Sequence, residues 1–130
     1  MPLFTATVSL AVVAVYFAFA LRVAAAHRKF GVVLPATSGN QDFERIYRAH
    51  INTLEWMPIF LVPLWLTALL VSDKFAAGLG VVWIVGRIWY VVGYGRAVEM
   101  RFPGFFLQSL VCVALFLASL AGVAMRLPGL

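Results

Sequence analysis

Charge is scarce in this chain. Only 12% of its 130 residues are Asp, Glu, Lys or Arg, whereas 64% are hydrophobic. A soluble domain of this length could not bury so large an apolar fraction, and long uncharged runs are typical of membrane-spanning helices. We therefore expect a single integral membrane domain over residues 1–130.

Other scarcities exclude several kinds of chemistry. The one cysteine, Cys112, excludes an intrachain disulfide. The two histidines, His27 and His50, have no cysteine nearby, so we expect no metal site. No nucleophile triad, phosphate-binding loop or glycine-rich nucleotide motif is visible. The N-terminal MPLFTATVSL has no basic segment before its apolar run, so the first span is expected to be retained rather than cleaved.

Four apolar segments are long enough to cross a bilayer, at residues 3–26, 43–70, 75–98 and 105–125. They predict an all-α integral membrane protein, a bundle of four transmembrane helices with three connections. Asp42 is the expected N-cap of the second helix. Arg22 is expected to extend toward the membrane surface, and Phe102-Pro103-Gly104 to end the third helix.

The basic residues predict the orientation of the bundle. The first loop and its flanks hold half of the ten, namely Arg22, Arg28, Lys29, Arg45 and Arg48. The third loop holds Arg96 and Arg101, whereas the second loop and the C-terminal tail each hold one. This distribution predicts that loops one and three are cytoplasmic and that both termini lie on the opposite side. It explains the net charge of +5 without a nucleic-acid partner.

Polar residues form a stripe on each of two helices. Arg48, Asn52 and Glu55 follow at i, i+4 and i+7, and therefore share one face of the second helix. A carboxylate such as that of Glu55, inside the membrane, costs roughly 2.5–3.5 kcal/mol unless it is paired or hydrated. The third helix carries the second stripe, at i, i+3, i+7 and i+14 if the helix continues that far: Arg87, Tyr90, Tyr94 and Arg101.

The predicted orientation brings both stripes to the same face of the membrane. They would form one site, rich in guanidinium groups, for an anionic or zwitterionic ligand with more than one carboxylate. A structural alternative is that Arg48, Arg87 and Glu55 neutralise one another inside the bundle.

The run FERIYRAHINTLEWMPIF, followed by RIWYVVGYGRAVEMR, resembles the MAPEG family of membrane-associated proteins in eicosanoid and glutathione metabolism, and its microsomal glutathione transferases in particular. The resemblance covers nearly the whole chain. It implies a homotrimer of four-helix protomers in which glutathione, as co-substrate, binds between neighbouring protomers near the cytoplasmic face. A hydrophobic electrophile or a lipid hydroperoxide would reach it from the membrane lipids.

The resemblance also implies roles for individual residues. Arg101 matches the arginine that acts on the glutathione sulfur, and is the expected catalytic residue. The resemblance and the two stripes together give the expected binding residues, which are Arg28, Arg48, His50, Asn52, Glu55, Trp56, Arg87, Tyr90 and Tyr94.

The expected activity is that of a detoxifying glutathione transferase, with possible lipid hydroperoxide peroxidase activity. His50 and Trp56 depart from the leukotriene-synthase branch of the family, which has glutamine and tyrosine there. Two alternatives stay open. One is a non-catalytic protein of the same fold that binds lipid or glutathione. The other is a small multidrug transporter, although such exporters place their buried glutamate in the first span, which here has no acid.

Overall fold

The computed structural model describes all 130 residues, Met1–Leu130, and it is entirely helical. The four long helices are α1 (Leu3–Phe30), α2 (Gln41–Leu70), α3 (Asp73–Arg96) and α4 (Phe102–Arg126). Short 3₁₀ turns cover Val98–Arg101 and Leu127–Gly129. All four helices are long and apolar enough to cross a membrane. This confirms the predicted four-helix, multi-pass membrane bundle.

The connection from α1 to α2 is built on two caps. Gly31 ends α1 in the left-handed conformation, at φ 67°, which glycine adopts without steric cost. Asn40 then caps α2, because its side chain accepts a hydrogen bond from Phe43 N at 3.0 Å. The prediction of Asp42 as the cap is therefore wrong. Asp42 lies inside the first helical turn, where its negative charge interacts favourably with the positive end of the helix dipole. It also forms an ion pair with Arg45.

The connection from α3 to α4 also differs from the prediction. Helix α3 ends at Arg96, Ala97 is extended, and Val98–Arg101 forms a 3₁₀ turn. The Phe102-Pro103-Gly104 segment starts α4 rather than ending α3. The physical reason is that proline fits the first turn of a helix, where its missing N–H has no partner to lose.

Glycine lets α3 and α4 approach closely beside this turn. A Cβ added to Gly104 would lie 2.6 Å from the carbonyl oxygen of Gly86 and would also meet the backbone nitrogen of Tyr90. The backbones of the two helices are therefore in direct contact just above the start of α4.

The interior combines an apolar core with a few polar contacts between helices. Phe60 of α2 stacks on Trp83 of α3, with ring centroids 4.0 Å apart. Arg22, which we predicted to extend toward the membrane surface, is half-buried and donates from Nη1 to the carbonyl oxygen of Val91 in α3, at 3.1 Å. It fits there because Gly95 has no side chain. These contacts fix how α1, α2 and α3 lie against one another.

Candidate functional site

A cavity of about 330 Å³ opens at the end of the bundle where α2 begins and α3 ends. Helix α2 contributes Arg48 and Asn52, which are one turn apart, and α3 contributes Tyr90 and Tyr94. Arg101 comes from the 3₁₀ turn. The structure thus brings part of each predicted polar stripe together at one end of the bundle.

Arg101 reaches this cavity by a route that the sequence did not indicate. We expected α3 to continue to Arg101, but that helix ends at Arg96. The 3₁₀ turn returns the chain toward Tyr94, and Arg101 donates from Nη1 to the carbonyl oxygen of Val98 at 2.6 Å. Its guanidinium carbon lies 5.7 Å from the ring centroid of Tyr94, within the range of a cation–π contact. One N–H is held by the turn, and the others remain for a ligand.

Two aromatic lining residues were not predicted. Phe102 and Phe105 of α4 line the cavity beside Arg101. The available signal was Pro103, because a proline marks the first turn of a helix as readily as the end of one. With α4 starting at Phe102, residues 102 and 105 are three apart and share a face.

Arg87 lies behind the cavity and does not line it. Its side chain is fully buried, and Nη1 donates to Oδ1 of Asn52 at 2.9 Å and to Oγ1 of Thr53 at 3.3 Å. No carboxylate pairs with it, since the only ion pair in the structure joins Arg45 and Asp42. Within this chain, Arg48, Arg87 and Glu55 therefore do not neutralise one another.

Glu55 faces outward from the bundle. Its side chain is exposed on α2, makes no hydrogen bond or ion pair, and does not line the cavity. The Arg48 side chain is exposed too, but it does line the cavity. Both charges are therefore available to groups outside this chain.

The remaining predicted residues do not line the cavity. His50 stacks on Tyr16 of α1, with ring centroids 4.8 Å apart. Trp56 packs edge-on against the lining residue Phe105, at 5.4 Å between centroids. Arg28 is exposed in the last turn of α1. Within this chain, none of these three belongs to the lining.

An apolar groove of about 770 Å³ runs between α2 and α4. It begins at Trp56 and continues along α4 from Ser109 to Val123. A smaller cavity, bounded by Phe105 and Ser109, lies between this groove and the polar cavity. The arrangement can therefore hold a polar, anionic group at the bundle end beside an apolar molecule within the membrane span.

Comparison with known proteins assigns this sequence to a family. A family model described as the MAPEG family matches residues 5–121. The chain is 44% identical over 112 residues to an uncharacterized protein of Synechocystis, covering 86% of this chain and 82% of that one. It is 40% identical over 106 residues to microsomal glutathione S-transferase 2 of Homo sapiens, covering 82% and 72%. It is 36% identical over 124 residues to leukotriene C4 synthase of Cavia porcellus, covering 95% and 83%.

Proposed function

Because this chain belongs to the MAPEG family, we propose that it is a membrane-bound glutathione transferase that joins glutathione to hydrophobic electrophiles from the bilayer. The observation that carries the proposal is the position of the polar cavity. Two arginines, an amide and two phenols line it, and a smaller cavity lies between it and an apolar groove within the span. A soluble thiol and a lipid-borne molecule could meet at that junction.

Each part of glutathione has a chemically suitable partner among these residues. Its carboxylates suit the guanidinium of Arg48, which can donate two parallel hydrogen bonds. Asn52, Tyr90 and Tyr94 supply further hydrogen bonds to carboxylate or peptide groups. The ammonium group suits the exposed carboxylate of Glu55, one turn beyond the cavity.

Assembly as a homotrimer would complete the site. Glu55 is a carboxylate on the outer surface of an apolar helix, and in the membrane such a group needs a partner or water. A neighbouring protomer packed on this face would supply both a wall and polar groups. Arg28 and His50, which lie away from the cavity of their own protomer, would then border the cavity of a neighbour. Trp56 would form the boundary with the apolar groove.

The orientation of the bundle follows from its charges. Basic residues are concentrated at the end that carries the cavity, so loops one and three would be cytoplasmic and both termini would lie on the opposite side. Cytoplasmic glutathione would then reach the cavity directly.

In the proposed mechanism, Arg101 donates hydrogen bonds to the glutathione sulfur and lowers the thiol pKa. Each unit of lowering corresponds to about 1.36 kcal/mol in favour of the thiolate. The thiol proton passes to solvent water, the sulfur lone pair forms a C–S bond to the electrophilic carbon, and the leaving group departs with the electrons of the broken bond. With an epoxide, the C–O bond opens and the oxygen takes a proton from water.

Peroxidase activity would use the same thiolate. The sulfur attacks the terminal oxygen of a lipid hydroperoxide, the O–O bond breaks, and the lipid alcohol and a sulfenic acid of glutathione form. A second glutathione then reduces the sulfenic acid, giving the disulfide and water. Both reactions depend on the cavity for proximity between the thiolate and its target.

The test is conjugation of glutathione to a chlorodinitrobenzene by the purified protein in detergent or bilayer discs. Replacing Arg101 with alanine should lower turnover roughly 100-fold, as removal of one preorganised donor does elsewhere. The glutathione dissociation constant should change much less, since Arg48 and the phenols remain. Equal losses in turnover and affinity, or no loss in either, would contradict the assigned role.

Two other outcomes would favour the alternatives. Glutathione binding without any conjugation or peroxide reduction would favour a non-catalytic binding protein. Proton-coupled flux in liposomes that requires Glu55, without conjugation, would favour a transporter.

A further inference from the structure

Arg87 is a fully buried charge with no carboxylate partner. Burying an unpaired ion costs several kcal/mol in a protein interior. Only Nη1 of this guanidinium forms hydrogen bonds, while Nε and Nη2 have none. Because this guanidinium is unfavourable to bury and lies directly behind the candidate cavity, we ask which cavity residues it positions.

The charge is stabilised by aromatic faces. The guanidinium carbon lies 4.6 Å from the ring centroid of Tyr90, 5.7 Å from that of Trp83 and 6.0 Å from that of Trp56. Cation–π contacts are strongest for desolvated groups such as this one. The Trp83 N–H is bonded to Gln108 Oε1 at 3.1 Å, so this tryptophan offers its ring to Arg87 and keeps its own donor satisfied. The rings hold the guanidinium in place without competing for its N–H groups.

The two partners on α2 must both act as acceptors, since arginine has only donors. The Thr53 hydroxyl gives its proton to the carbonyl oxygen of Ala49 at 2.8 Å, which leaves its lone pairs for Arg87. At Asn52, the atom that faces Arg87 is the amide oxygen, 2.9 Å from Nη1. Because Asn52 lines the cavity, its NH₂ group is the part that remains for a ligand.

We propose that Arg87 is a positioning residue that locks the Asn52 amide with its NH₂ group available to the cavity. At this point the site offers donors and no acceptor, as Arg48 and Arg101 also do. It therefore selects a ligand group with lone pairs, a carboxylate or a peptide carbonyl, and rejects an ammonium or N–H group. The identity of that ligand as glutathione rests on the proposed function.

Asn52→Asp is the sharpest test, because it tolerates the buried arginine. An aspartate pairs with Arg87 and keeps the shape, but it presents an oxygen instead of an NH₂ group to the cavity. Glutathione affinity, measured by calorimetry in detergent, should fall at least as far as in Asn52→Ala, about 5- to 10-fold for one lost hydrogen bond. If Asn52→Asp binds glutathione as tightly as the wild type, the amide oxygen faces the ligand and the proposal is overturned.

A double-mutant cycle tests the part played by Arg87 itself. Arg87→Met keeps most of the volume and removes the donors, which frees the Asn52 amide to rotate. It should raise the KM for glutathione about 5- to 10-fold, leave kcat at saturating glutathione within about threefold, and add nothing once Asn52 is already alanine. Arg87→Lys, which restores a charged donor, should recover part of the affinity. Additive losses in Arg87→Met and Asn52→Ala would overturn the positioning role.

Arg48→Ala is the matched control in the Arg87→Met background. Its full effect on affinity should persist there, because no hydrogen bond or ion pair joins Arg48 to Arg87 and a correctly folded cavity keeps its other donors. A wild-type protein that binds no glutathione would contradict the proposed function. Wild-type binding together with an additive cycle would contradict the inference about Arg87 alone.

Discussion

Where α1 and α3 begin, the Asp73 carboxylate accepts hydrogen bonds from the backbone N–H groups of Phe4 and Thr5, at 3.0 and 2.8 Å. At the opposite end, where α2 begins and α3 ends, Arg48 has an exposed side chain without a hydrogen bond or ion pair in the chain, as does Glu55 two turns further along α2. Both ends carry charge near the limits of the membrane span. They differ in whether the chain itself satisfies that charge.

This difference distinguishes charged residues that stabilise the fold from charged residues that can bind a ligand. The Asp73 carboxylate accepts hydrogen bonds from two free N–H groups in the first turn of α1, so neither the carboxylate nor these N–H groups are left for a ligand. Arg48 and Arg101 line a cavity and retain unused donors, which suits a ligand with lone pairs and negative charge. Arg87 lies between these cases, because aromatic rings and two α2 side chains hold it, and it in turn fixes a residue of the cavity.

Arg48→Ala should give the largest effect that separates the two ends. Loss of charge-assisted hydrogen bonds of about 1.5–3 kcal/mol would weaken glutathione binding roughly 10- to 150-fold. The melting temperature should stay the same, since Arg48 has no partner inside the chain. Titration calorimetry and thermal melts in the same detergent would measure both quantities.

Arg45→Ala is the matched control, with the same charge removed three residues away. Arg45 pairs only with Asp42, an exposed residue, and such pairs contribute at most about 1 kcal/mol. Glutathione affinity should therefore stay within about twofold. Equal losses in both variants would mean that Arg48 acts through the general positive field of this end.

Gly104→Ala should lower both stability and ligand affinity, because Gly104 packs against the backbone of Tyr90, which lines the cavity. The new methyl group would press on the carbonyl oxygen of Gly86 and the backbone nitrogen of Tyr90. Overpacking of this kind costs about 1–3 kcal/mol and would move Tyr90, so both stability and glutathione affinity should fall. Gly78→Ala in α3 is the control, since nothing lies within 4 Å of its added Cβ. It should be neutral or slightly stabilising. A neutral Gly104→Ala would show that the two backbones have room to separate.

The sequence predicted the four helices because hydrophobic run length is set directly by bilayer thickness. It was less informative at the ends of helices. Asn40 and Asp42 are both good caps, and only the start of regular hydrogen bonding in α2 distinguishes them. Phe102-Pro103-Gly104 can end one helix or begin the next, and the contact between Gly104 and Gly86 decides in favour of the second.

The lining of the cavity could be predicted in part. Helical periodicity correctly placed Arg48 and Asn52 on one face of α2, and Tyr90 and Tyr94 on one face of α3, and all four line the cavity. Glu55 shares their face but lies about 10 Å beyond Arg48 along the axis, at ~1.5 Å per residue, and so misses the cavity. The partners of Arg87 could not be predicted, because a stripe of residues does not show which neighbouring helix meets it or which atoms are already bonded.

Asp73→Ala should give the smallest effect, and it tests the other end of the comparison. Loss of a capping carboxylate costs about 1 kcal/mol, which would lower the melting temperature by a few degrees. Asp73→Asn, which keeps an oxygen acceptor, should recover part of that loss. Glutathione affinity should not change in either variant, because Asp73 and Tyr94 are about 32 Å apart along α3, at ~1.5 Å per residue. If affinity fell while the melting temperature held, the start of α1 would have to influence the cavity, and the two ends could not be assigned separate roles.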